Sequence, residues 1–196
     1  MREFDYQRLV IGYHGCDASV RDKVIQKGDQ LKASPKRYDW LGHGIYFWEH
    51  GPARALEWAK EQKQRGKLKT PAVLGAVLHL GSCFDLLDAE YTDMLAEAYP
   101  LFKDSMDATK TPLPRNKALN KTDKDQLLRE LDCAVVNWTI KEFERGGTAH
   151  FHSVRGVFQE GDKVFTDSCI RLRSHIQIAV RDPACILGYF QPPSKR

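Results

Sequence analysis

The spacing of apolar residues changes along the chain, and each change predicts an element. RLVIGYHG (8–15) is a β-branched and aromatic run that predicts a strand ending at His14. In CDASVRDKVIQKG, Asp17 or Ser19 can cap a helix, Val20, Val24 and Ile25 give it an apolar face, and Gly28 ends it. A loop broken by Pro35, LKASPKRYDW, leads to the strand GIYFWE. Pro52 then opens the helix ARALEWAKEQKQRGK, with Ala55, Leu56 and Ala59 facing inward. AVLGAVLHLG (72–81) is apolar with small residues and reads as a central strand.

The middle of the chain switches to helical periodicity. DAEYTDMLAEAYPLF and DKDQLLRELDCAVVNWTIKEFERGG both carry it, with Gly146 and Gly147 stopping the second. Between them KDSMDATKTPLPRNKALNKT is polar and proline-containing, a loop. The last third is strand-like. VRGVFQEGDKVF predicts a hairpin turning at Glu160, Gly161 and Asp162. SHIQIAVRD places Ile176, Ile178 and Val180 on one face, and His175, Gln177, Ala179 and Arg181 on the other. Asp182 and Pro183 make a turn, CILGYF is a final strand and QPPSKR a tail. No repeat or linker interrupts the pattern. Strands at both ends with helices between them predict a single α+β domain over 1–196, with a helical insertion at 82–147.

Composition narrows the class. A chain of 196 residues with 42% hydrophobic and 29% charged residues can bury a core and is not a disordered chain. A net charge of +4 tolerates an anionic partner without demanding one, and the basic run KEQKQRGKLK reads as a solvated helix end. The five cysteines contain no CxxC pair, so no metal site is expected, and their wide spacing points to reduced thiols in a cytoplasmic protein. MREFDYQRLVIGYHG has no long apolar core of a signal peptide, and no run is long enough for a membrane span. An effector delivered by another route also fits.

LGHGIYFWE (41–49) poses a specific question, because Gly42 and Gly44 immediately precede four bulky residues. Glycine permits positive φ or the close approach of another molecule to the backbone. The aromatics therefore either cover a core or line a slot for a flat ligand. The other candidates carry the same ambiguity. His14 followed by Gly15 could present a ring and a bare backbone to a carboxamide, or His14 could simply bond a neighbouring carbonyl. Tyr46 could stack on a heterocycle or fill a core, and Trp58 on the next helix could close the slot or pack. Gln177 could bind a ribose or face solvent.

Taken together, YHG (13–15), LGHGIYF (41–47) and HIQIAVRDPACILGYF (175–190) resemble the ADP-ribosyltransferase fold of the diphtheria-toxin and poly(ADP-ribose) polymerase class. That class carries a His, Tyr, Glu triad, and Gly42, Gly44, Ile45, Tyr46 and Phe47 match its G-x-G-I-Y-F strand. The resemblance covers both ends of the chain and leaves the insertion unmatched. It implies a split β-sheet core and NAD as substrate. His14 would bond the adenosine-side ribose, Gly15 would hold the nicotinamide carboxamide through its backbone, Gly44 would shape the slot and Tyr46 would stack on the nicotinamide ring. Trp58 is the second stacking candidate, one position from the family's register. The serine the polymerases place on that helix is missing, with Ala53, Arg54 and Ala55 there instead.

Gln177 departs from the triad by standing where the glutamate belongs. Glutamate stabilises the positive charge that grows as the glycosidic bond breaks, and an amide does so only by its dipole. Chain extension, which needs a base, is then disfavoured relative to a single transfer or to NAD hydrolysis. Glu160 is the alternative acid, with Asp167 behind it. The expectation is a mono-ADP-ribosyltransferase, of the kind found as bacterial toxins or effectors, acting on a protein or nucleic acid. An antitoxin or immunity protein would be a further partner, and no membrane is involved. Arg171, Arg173 and Arg181 would favour an anionic acceptor or hold the NAD pyrophosphate. An NAD glycohydrolase and a non-catalytic NAD or ADP-ribose-binding module are the alternatives.

Overall fold

Strand β1, Asp5–Asp17, opens the described chain. The computed structural model describes residues 5–119 and 125–193; the end of the expected loop at 120–122, the expected start of the second long helix at 123–124, the first four residues and the end of the tail lie outside them. After β1 come α1 (Ala18–Lys27), β2 (Ile45–Glu49), α2 (Pro52–Gln64), β3 (Pro71–Asp85) and α3 (Ala89–Ala108). The short pair β4 (Asn116–Lys117) and β5 (Leu128–Arg129) leads into α4 (Glu130–Arg145). Strands β6 (Ser153–Phe158), β7 (His175–Val180) and β8 (Ile186–Phe190) complete the order, with a single 3-10 turn at Pro183–Cys185.

The architecture is α+β, as expected. A six-stranded sheet runs β1-β2-β7-β6-β3-β8, and an extra pairing of β1 with β3 closes five of these strands into a circuit. Only β3 and β6 run parallel within it. Closure follows from the length of β3, which pairs with β1 from Pro71 to Ser82 and with β6 through its last residues, Cys83–Asp85. Inside the circuit Phe47, Leu74, Ala76, Leu78, Ile178 and Val180 form one core. Period-two alternation puts the other faces of β6 and β7 against α3 and α4, where Val154 and Ala179 meet Tyr91, Val136, Ile140 and, just before β6, Phe151 in a second core. No helix among the described residues is long and apolar enough to cross a membrane.

Several boundaries differ from the sequence-based expectation. His14 lies inside β1 rather than at its end, because β1 stays paired with β3 as far as Asp17. Asp17, rather than Ser19, caps α1, accepting from the Ser19 N–H and from the Lys69 and Thr70 N–H groups; these bonds hold its carboxyl well below the usual range. Of the proposed apolar face of α1 only Val24 is buried. Helix α3 continues six residues past Phe102 with Pro100 inside it, and α4 begins at Glu130. The expected hairpin at Glu160–Asp162 does not form. β6 pairs instead with β7, and 159–174 becomes a long connection pinned by a Lys163–Arg171 bridge. The run after Asp162 exposes Val164 and Phe165, so it has no core to pair over.

Candidate functional site

A cleft of about 530 Å3 opens where β1 and β2 part. Their pairing is confined to Gly12 with Glu49 and Tyr13 with Trp48. The Ile11 carbonyl accepts from the His50 N–H, so by strand alternation Gly15 also turns its N–H and C=O toward β2, where no ladder meets them. A Cβ at Gly15 would collide with the Ala55 carbonyl oxygen and lie 3.0 Å from Trp58 Cε3, so helix α2 can seat Trp58 over this backbone only if residue 15 is glycine. The half-buried His14 spans the gap, its Nδ1–H donating to the Tyr46 carbonyl at 2.8 Å. That bond leaves Nε2 as an acceptor in the neutral ring, and burial lowers the pKa against the opposing pull of the same bond.

Tyr46 faces the cleft with its ring and the preceding turn with its hydroxyl. The hydroxyl donates to the Gly42 carbonyl at 2.8 Å and accepts from the Leu41 N–H at 2.9 Å. Burial, its largest influence, raises the phenol pKa well above the ordinary value. Gly42 takes φ +80, a conformation that a side chain would strain, and Gly44 bridges to Ser34 beside the cleft. The aromatic run thus splits by strand alternation: Ile45 and Phe47 enter the core, while Tyr46 and Trp48 line the cleft. Trp48 sits 5.8 Å from Trp58, centroid to centroid, and its buried Nε1 has no partner.

Gln177 reaches the cleft from β7, opposite Trp48 in register. Its Oε1 accepts from Trp40 Nε1 at 2.6 Å. Indole can only donate, so the amide oxygen is fixed on Trp40 and the NH2 is the group left for a ligand. A cation–aromatic stack braces this wall. His175 stacks on Phe158 at 5.5 Å, Trp40 meets the Phe158 edge and the Arg129 guanidinium lies 4.3 Å over the Phe158 ring. His175 Nδ1–H donates to the Arg173 carbonyl, burial lowers its pKa, and its buried Nε2 has no partner.

Glu160 is buried at 7% exposure and lines the same cleft. Its Oε1 receives Arg54 at 2.8 Å and Arg173 at 3.4 Å, and Arg173 also reaches Glu61 at 3.1 Å. This network ties the 159–174 connection to α2. Arg54 keeps a buried Nε and Nη1 that make no hydrogen bond. Asp39 adds a carboxyl to the lining, and burial raises its pKa against the Ser34 bond and the Lys36 and His43 charges. Unsatisfied donors on Trp48 and Arg54 and an unsatisfied acceptor on His175 suit a wall that receives a polar ligand.

His14, Gly15, Gly44, Tyr46, Trp58, Gln177 and Glu160, from separate segments, all line this one cleft. The proposed arginines do not stand free in it. Arg173 is ion-paired, Arg171 donates to the Gly161 carbonyl, and Arg181 reaches Asn137 and Glu144. Sequence reasoning missed Trp40, which lay in a loop without periodicity, and Arg54, which occupies the helix turn searched for a serine. Leu119, expected in the loop, and Leu127 and Leu128, expected in the second long helix, also line the cleft, with Leu128 in β5; nearby Asp125 accepts from the Gly161 N–H at 2.8 Å. No group of three or more His, Cys, Asp or Glu among the described residues is arranged to hold a metal ion.

The chain is similar to an uncharacterized protein of Methanocaldococcus jannaschii, 27% identical over 201 residues that cover 92% of this chain and 86% of that protein. No family model matches the chain, and no solved structure matches it.

Proposed function

We propose that this protein is an NAD-dependent mono-ADP-ribosyltransferase, which moves ADP-ribose from NAD to a macromolecular acceptor and releases nicotinamide. The convergence of seven sequence-selected residues on one cleft carries the reading. The Gly15 N–H and C=O, open on the side that β2 leaves, suit the nicotinamide carboxamide, and the Tyr46 and Trp58 rings suit the faces of the nicotinamide ring. Neutral His14, with Nε2 as acceptor, suits a ribose hydroxyl. These groups hold NAD bent while its glycosidic bond stretches, so catalysis is orientation plus electrostatics. Glu160 and Asp39 are the carboxyls that can answer the growing positive charge of the ribose, since the Gln177 NH2 offers it only a donor.

The fixed Gln177 amide favours a second reading, a cleft that binds NAD without turning it over. Both are separated by incubating the purified protein with labelled NAD and an acceptor-rich lysate. Nicotinamide release with label on macromolecules, lost in His14→Ala and Tyr46→Ala variants that still fold, is the expected result. Release without macromolecular label would make it a glycohydrolase. Binding without release would leave the second reading.

A further inference from the structure

The mouth of the cleft carries positive charge that its depths do not. Lys32 and Lys36 line one bank, in the loop after α1, and Arg65 and Lys67 line the other, just past the C-terminal end of α2. All four are exposed, and none makes a salt bridge among the described residues. The deeper cations are the opposite case, with Arg54 and Arg173 held by Glu160 and Glu61. The half-buried Asp39 carboxyl, which feels the Lys36 charge, lies beside this bank. The basic run at 60–69, expected to be a solvated helix end, thus places Arg65 and Lys67 on the cleft. Tyr38 stands among these cations, with Lys36 Nζ 5.8 Å from its ring centroid.

We propose that this mouth binds single-stranded nucleic acid and that the bound strand is the ADP-ribose acceptor. Cations on two banks track a phosphodiester backbone, and an aromatic between them offers a face on which a base stacks. An acidic peptide would meet the charge but leave the ring unused. NAD carries a single pyrophosphate, which four cations on opposite banks exceed. Binding of the strand is independent of the NAD reading, while the transfer rests on it. In that step a base or phosphate heteroatom of the strand bonds to the ribose carbon as its bond to nicotinamide breaks. Nicotinamide leaves neutral with the electron pair, and any proton on the acceptor atom passes to water.

The test is fluorescence anisotropy of a labelled single-stranded RNA and its DNA counterpart, with NAD affinity measured in parallel by calorimetry. The proposal expects saturable binding that weakens with salt, with a log–log slope of about −0.7 per phosphate contacted. Arg65→Ala/Lys67→Ala and Lys32→Ala/Lys36→Ala should each weaken the oligonucleotide about tenfold or more at low salt and flatten that slope, leaving NAD affinity within about twofold. These exposed, unpaired side chains can be removed with little effect on folding. No saturable oligonucleotide binding, or binding that both double variants leave intact, overturns the proposal. So does polyglutamate binding as tightly as RNA, or a loss confined to NAD, which would give the mouth to the pyrophosphate. Oligonucleotide binding without any NAD binding would keep this site and discard the NAD reading.

Discussion

Tyr46 serves two masters at opposite ends of its side chain, and substitutions can separate them. Tyr46→Phe keeps the ring but strands the Leu41 N–H and the Gly42 carbonyl. It should cost about 1–3 kcal/mol in denaturant titrations, and an unchanged midpoint would deny the hydroxyl its role in the turn. Gln177 invites the reverse change. Gln177→Glu keeps an oxygen for Trp40 and adds the charge that the broken bond calls for, so nicotinamide release should rise by about tenfold or more. A fall would mean that the amide N–H is what the ligand needs. His14 adds a pH dependence. Its folded pKa is held below the ordinary 6.5, so the unfolded chain takes up the proton first. Stability is full above 6.5 and declines as pH falls through it; His175 acts in the same direction. Melting temperatures from about pH 8 to about pH 5 should show this decline, flattened in part by His14→Asn.

Element by element, alternation was the most legible signal. GIYFWE and HIQIAV formed strands, the second with Ile178 and Val180 on the expected face, and Gly28 ended its helix with φ +70. The hairpin at Glu160–Asp162 was misread because local turn chemistry does not say which strand is the partner; β6 found a buried partner in β7, across the connection 159–174. One polar cluster had no sequence signature. Arg155 on β6 lies inside the strand circuit, bonded to both Glu49 oxygens at 2.6 and 3.1 Å and to Asp85 at 3.0 Å, all with side chains 5% exposed. Burial alone would lower its pKa, but the two carboxylates reverse this and raise it. Arg155→Met would leave both carboxylates buried without their cation. It should destabilise the fold by about 3–5 kcal/mol in a denaturant titration, and a near-neutral result would show that the cluster relaxes into solvent.

Across the whole molecule, the cleft exists because β1 and β2 part. β1 stays with β3 to its end, while β2 pairs with β1 only at Trp48 and Glu49 and with β7 over Ile45 to Trp48, and the gap is where His14, Gly15 and Tyr46 meet. Strand alternation alone left His14, Tyr46 and Gln177 open between core and cleft; the resemblance of their flanking motifs singled them out, and regular β1, β2 and β7 bring them to one cleft. Trp40, Arg54 and the charged mouth could not be read from the sequence, because they come from loops and helix ends whose position depends on the closed circuit. On the proposed reading, this gap holds NAD with its nicotinamide on Tyr46. Calorimetric titration of NAD into the wild-type protein, Tyr46→Phe and Tyr46→Ala tests it without requiring turnover. Saturable binding in the first two, weakened about tenfold or more when the ring is removed, is the predicted result. No binding by the wild-type protein, or equal binding by Tyr46→Ala, would contradict it.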